Sequence, residues 1–175
     1  MIPHSLIQEK ITTRFGNDVI SVEEEPLYKA LVITVHPEKI AEVLKFLYDD
    51  KDLQFQFLTS LFAVHYPERK GEEIAVVYLL HSLWKNTRIR IKTYLPVSHP
   101  EIDTATTLFA AANWMERETY DFFGVIFRGH PHLKRILNID SMDYFPMRKE
   151  YPLEEGTRMD KDDTMFGREK VIEKS

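Results

Sequence analysis

The chain has no cysteine. That one absence excludes disulfides, iron–sulfur clusters held by this chain, thiolate zinc sites and cysteine nucleophiles. Long apolar runs are missing too, because charged or polar residues break every candidate before it reaches the length of a transmembrane helix. The opening MIPHSLIQEKITTRF lacks the apolar core of a signal peptide. Membrane association is therefore expected only through a partner. Nor is there a basic excess. Lys and Arg number 23 against 28 Asp and Glu, a formal net charge of -5, which leaves no global field for nucleic acid or an anionic membrane. Repeats, low-complexity tracts, a Walker loop and a dinucleotide fingerprint are absent as well.

What is present suits a soluble globular protein. The 175 residues favour one domain with a real core, and 43% apolar and 29% charged residues are ordinary values. Ser5 can cap a helix over 6–15, closed by Gly16. Residues 19–23 and 29–35 read as strands around a Glu24-Glu25-Pro26 turn. Pro37 opens a second helix, with Ile40, Val43, Leu44, Leu47 and Tyr48 on one face. Three strands follow: 55–66, the continuous apolar run 74–80, and the alternating Arg88-Ile89-Arg90-Ile91-Lys92. Ile102, Ala105, Phe109 and Ala112 predict a third helix over 101–113. The pattern α-β-β-α-β-β-β-α predicts an α+β fold, a two-layer sandwich of helices on a mixed β-sheet. Beyond Leu137 the periodicity is lost. Residues 1–137 are read as the α+β domain and 138–175 as an extended C-terminal arm that becomes ordered on a partner.

Several motifs have bland explanations. Glu116 and Glu118 point apart on a helix, which argues against a carboxylate pair for acid–base work. Arg117 is placed to pair with Asp121 one turn later, with the glutamates near the helix N-terminus. Asp121-Phe122-Phe123-Gly124 carries one Phe too many for a kinase motif. His130-Pro131-His132 lacks a ligand set for a metal, although a hydrolase built on His130, His132 and Asp121 is the rival from another class. The basic strand 88–92 reads as an edge protected by charge. The run from Phe145 to Pro152 holds aromatic, Met and Arg side chains, the types enriched in buried interfaces. It either covers a partner or folds back onto its own domain.

The stretch Glu116-Arg117-Glu118-Thr119-Tyr120-Asp121-Phe122-Phe123-Gly124-Val125-Ile126-Phe127, followed by Gly129-His130-Pro131, Leu133 and Arg135-Ile136-Leu137, resembles the signature of the respiratory complex I 30 kDa subunit family. Its members are the C subunits of NADH-quinone oxidoreductases. Pro146-Met147-Arg148-Lys149-Glu150-Tyr151-Pro152 is similar to that family's Pro-Leu-Arg-Lys-Asp-Phe-Pro segment. His132 stands where the family usually has Asp or Asn, and residues 141–145 differ from its usual Glu-Gly-His run. These departures leave open the equivalent subunit of a membrane-bound hydrogenase or ferredoxin-linked complex.

The resemblance implies a non-catalytic subunit of the peripheral arm of a proton-translocating NADH:quinone oxidoreductase, on the cytoplasmic face of the inner membrane or on the matrix side. It implies no cofactor in this chain, with FMN, iron–sulfur clusters and quinone held elsewhere in the complex. The implied partners are the quinone-site large subunit and the terminal-cluster subunit. Glu116, Arg117, Glu118 and Asp121 become ion-pair formers at a subunit junction. His130, Arg135, Tyr144, Phe145, Arg148, Lys149 and Tyr151 become interface contacts.

Overall fold

A computed structural model describes residues 1–27 and 30–151. Helix α1 (His4–Phe15) starts two residues earlier than the Ser5 cap predicts. Pro3 is the capping residue, and its carbonyl accepts the amides of Leu6 at 3.2 Å and Ile7 at 3.4 Å. Gly16 ends the helix with φ 51°. Strands β1 (Val19–Glu25) and β2 (Ala30–Val35) form a hairpin. A short 3-10 turn with Pro37 at its start leads into α2 (Ile40–Asp49).

Strands β3 (Phe57–His65), β4 (Ile74–Ser82) and β5 (Thr87–Leu95) complete a five-stranded sheet in the order β1-β2-β5-β4-β3. Only β2 and β5 run parallel, with Leu31 beside Ile89 and Ile33 beside Ile91. The basic strand 88–92 is therefore interior, not an edge. Its alternation has another cause: Ile89 and Ile91 enter the core, while Arg90 and Lys92 stand on the opposite face of the sheet. Ile33, Ile74, Val76, Tyr78 and Leu80 share the core face with them. Ile7 and Ile11 of α1 and Val43, Leu44 and Leu47 of α2 pack into the same core with no exposure. Each such side chain contributes about 1.5–3 kcal/mol by leaving water.

The predicted helix over 101–113 does not form. Glu101–Asp103 is a short strand, β6, which pairs in parallel with β7 (Ile126–Arg128). The third helix, α3, runs instead over Ala112–Phe123, within the signature. Ile102, Ala105, Phe109 and Ala112 are all buried, so the apolar spacing marks core positions correctly. The backbone between them goes to other partners. Thr104 donates to the Arg128 carbonyl at 3.0 Å, and both Leu108 and Phe109 donate to Ala105 in tight turns.

Candidate interaction site

Helix α3 and the chain that follows it are joined by buried polar bonds. Asp121 has no exposure. Its Oδ2 accepts the backbone amides of Ile136 at 3.0 Å, Leu137 at 2.8 Å and Asn138 at 3.0 Å. Its Oδ1 accepts the Asn138 side-chain amide at 3.0 Å and the Arg135 guanidinium at 2.8 Å. Burial alone would push this carboxyl up. The Asn138 and Leu137 amides, the Asn138 side chain and Arg135 outweigh it and hold the carboxyl well below the usual carboxylate range.

Arg135 spends its other N–H groups on the same task. It donates to the carbonyl of Asp121 at 3.0 Å, of Met142 at 2.9 Å and of Tyr144 at 3.1 Å, and stands over the Phe145 ring. Arg117 does not pair with Asp121 as predicted. It reaches the carbonyls of Lys134 at 3.0 Å and Arg135 at 3.2 Å, with its guanidinium over Trp114. A rigid fork of donors satisfies two fixed carbonyls better than one carboxylate already saturated by amides.

The segment beyond residue 137 then returns to the end of the helix. The last carbonyls of an α-helix lack partners within the helix. Here Arg135 takes that of Asp121, the Met147 amide that of Phe122 at 3.2 Å, and Arg148 that of Phe123 at 2.8 Å. Two cations at a helix C-terminus also meet the negative end of its dipole. Gly124 closes the helix with φ 76°, and a Cβ there would lie 2.5 Å from the Phe145 ring and 2.7 Å from the Arg148 guanidinium. Phe145 packs edge-on against Tyr120, and the Lys149 amide donates to His65 Nδ1 at 3.0 Å. The described part of the arm thus forms a strap against its own domain.

Glu116 lies in the middle of α3 and is fully buried, not an ion-pair former near the helix start. Thr104 Oγ1 donates to it at 2.5 Å and the Ala105 amide at 2.6 Å. Burial raises its carboxyl to about 7 against the lowering pull of these two bonds. Glu118 is exposed. His130 has both ring nitrogens engaged, Nε2 with the Asn113 carbonyl and Nδ1 with the His132 amide, each at 3.0 Å. Among the described residues no group of three or more His, Asp or Glu could hold a metal ion.

The side chains turned outward are a different set. Leu137, Ile139, Met147 and Trp114 are at least half exposed, with Tyr144 and Tyr151 close behind. Sequence reasoning named the two tyrosines and, within the run from Phe145 to Pro152, Met147. The signal for Trp114 was its position off the core face of α3. Leu137 and Ile139 had no periodic pattern to reveal them.

The model for the respiratory-chain NADH dehydrogenase 30 kDa subunit matches residues 33–157, which takes in α3 and the strap. The chain belongs to this family. The C subunit of the NADH-quinone oxidoreductase of Mycolicibacterium smegmatis is 41% identical over 150 residues, covering 84% of this chain and 63% of the relative. Its counterpart in Streptomyces coelicolor is 41% identical over 123 residues, 70% of this chain and 49% of the relative. The chain thus spans from about half to just under two thirds of the length of these curated relatives. A trypsin-resistant fragment of Nqo5 superposes with a TM-score of 0.62 at 32% identity, over 74% of this chain and 98% of that one. A chain of an archaeal respiratory membrane complex, the membrane-bound sulfane sulfur reductase, shares the fold with a TM-score of 0.70 at 24% identity, over 85% of each chain.

Proposed function

We propose that this chain is a non-catalytic subunit of the peripheral arm of a proton-translocating NADH:quinone oxidoreductase, where it braces the module that holds the quinone site and the terminal iron–sulfur cluster. The observation that carries this reading is the two-sidedness of the strap. Its inner side is consumed by bonds to α3. Its outer side presents Leu137, Ile139, Tyr144, Met147 and Tyr151. Exposed apolar and aromatic groups on a rigidly held backbone lose little entropy on docking, which favours a protein partner. The quinone-site large subunit and the terminal-cluster subunit are the partners that family membership supports. FMN, iron–sulfur clusters and quinone belong to other chains of the complex. Among the described residues no helix is long and apolar enough to cross a membrane. Attachment to the cytoplasmic face of the inner membrane then runs through these partners.

The bonds that hold the strap to α3 divide the interface residues. Tyr144, Tyr151, Lys149 and Glu118 are available to a partner. Asp121, Arg135, Phe145 and Arg148 shape the strap, Arg117 and His130 fix its approach, and Glu116 anchors α3. The test replaces Leu137 and Ile139 by Asp and measures recovery of the chain with the complex purified from native membranes. Recovery should fall at least about tenfold, which matches a loss of about 1.4 kcal/mol, while the isolated chain keeps its thermal midpoint. Unchanged recovery would remove the strap from the interface. Absence of the wild-type chain from any such complex would overturn the functional reading.

A further inference from the structure

Among the described residues no helix covers the face of the sheet turned away from the core. Val32 of β2, Val77 and Leu79 of β4, and Phe62 and Val64 of β3 floor a trough of about 500 Å³. Phe62 is 39% exposed although it sits in mid-strand. Charge is laid out across this trough unevenly. On the side of the trough where Tyr66 follows β3, Lys92 of the central strand β5 reaches between two rings, with its Nζ 5.2 Å from the Tyr66 centroid and 4.9 Å from that of Tyr94. Arg69 lies 4.0 Å over Tyr94, and Lys149, on the strap, lies 5.9 Å over Tyr66. Among the described residues no carboxylate pairs with Lys92 or Lys149, whereas Arg69 has Glu72 and Arg90 has Glu25. Diagonally opposite, Glu23, Glu24 and Glu25 line the β1 margin.

The geometry points to a second docking surface on this face, whose occupant is a segment of another subunit of the complex carrying apolar side chains, with carboxylates at the end that meets Lys92 and Lys149. The inference rests on the functional reading above and adds the chemistry of a second partner contact. Three features select the occupant. Ammonium groups held over aromatic faces are already partly stripped of water, so a carboxylate gains more there than at an open lysine. The apolar floor asks for side chains rather than phosphates. The glutamates on the opposite rim repel a polyanion, which disfavours nucleic acid and an anionic bilayer alike. The strap ends beside this trough, since Lys149 bonds His65 and overlies Tyr66. A partner seated at the Lys149 end of the strap is therefore beside the trough.

The experiment places the photo-crosslinking residue p-benzoylphenylalanine at Phe62, and separately at Tyr144, in the chain assembled in its native complex. Peptides joined at Phe62 are identified by mass spectrometry. The expected result is an adduct with a segment of another subunit that carries Asp or Glu within a few residues of the joined position. Lys92→Glu should cut the yield of that adduct at least fivefold, and Lys92→Arg should retain most of it. An adduct with residues 152–175 of the same chain, an adduct with a second copy, or no adduct at Phe62 while Tyr144 still joins a subunit would each overturn the proposal and leave the functional reading standing. Failure of both probes, with the chain absent from the complex, would overturn both.

Discussion

The sheet with α1 and α2, and α3 with its strap, are built on opposite principles. In the first region stability is spread over many apolar contacts among the buried side chains of one cluster. In the second it is concentrated in a few polar groups with several bonds each. Asp121 alone accepts from Ile136, Leu137, Asn138 and Arg135. Apolar burial is tolerant of detail because it follows area. A buried carboxylate is intolerant, since each partner left behind is an unsatisfied group. Tolerance suits a scaffold, and intolerance suits a segment whose exact path positions an interface.

Asp121→Ala should have the largest effect and should separate the two regions. It strands the Arg135 guanidinium and the amides of residues 136–138, a loss of roughly 3–5 kcal/mol for a broken buried ion pair. Hydrogen exchange should accelerate across the strap and the end of α3 while the sheet amides keep their protection. Uniform acceleration throughout the chain would show that the two regions unfold as one.

Next comes Glu116, which ties α3 to the turn after β6. Its folded carboxyl titrates near 7 and its unfolded one near 4.5. Between those values the folded chain keeps a proton that the unfolded chain has released. Stability from this group is therefore full below about pH 4.5 and declines as pH rises through 7, by on the order of 3 kcal/mol. Denaturant titrations at pH 5 and pH 8 should show this decline, and Glu116→Gln should flatten it. An equal slope in the variant would assign the pH dependence elsewhere.

The smallest effect is expected in the scaffold. Ile11→Val removes one methylene from a fully buried helix position, and about 0.5–1.5 kcal/mol is the usual cost. The thermal midpoint should drop by a few degrees with strap exchange unchanged. A selective loosening of the strap would mean that the core of α1 and the latch at Asp121 are coupled.

The scaffold was also the region legible in the sequence. Alternation found β5, and one-face spacing found α2, because a core imposes its period on the residues that enter it. The position of β5 inside the sheet was not legible, since an open outer face and a charged edge produce the same pattern. The helix placed at 101–113 failed because turns can bury Ile102, Ala105 and Phe109 at helical spacing. At the strap, local rules chose Arg117 for Asp121, four residues away. The structure chose Arg135, fourteen residues away, and no periodic signal carries a pairing of that span. Family motifs located the region that matters without revealing which side chains face in and which face out.

One consequence follows from the way Asp121 holds the strap. The carboxylate reaches the amides of 136–138 only at one rotation of α3, and that rotation is set upstream, where Glu116 is fixed by Thr104 and Ala105. Adding one residue between the two acids would swing Asp121 around the helix by about 100°. The spacing from Glu116 to Asp121 therefore acts as a gauge. Insertions and deletions at those few positions should loosen the strap, even beside the exposed Glu118, whereas the β4–β5 hairpin tip, with Trp84 82% exposed, should accept changes of length.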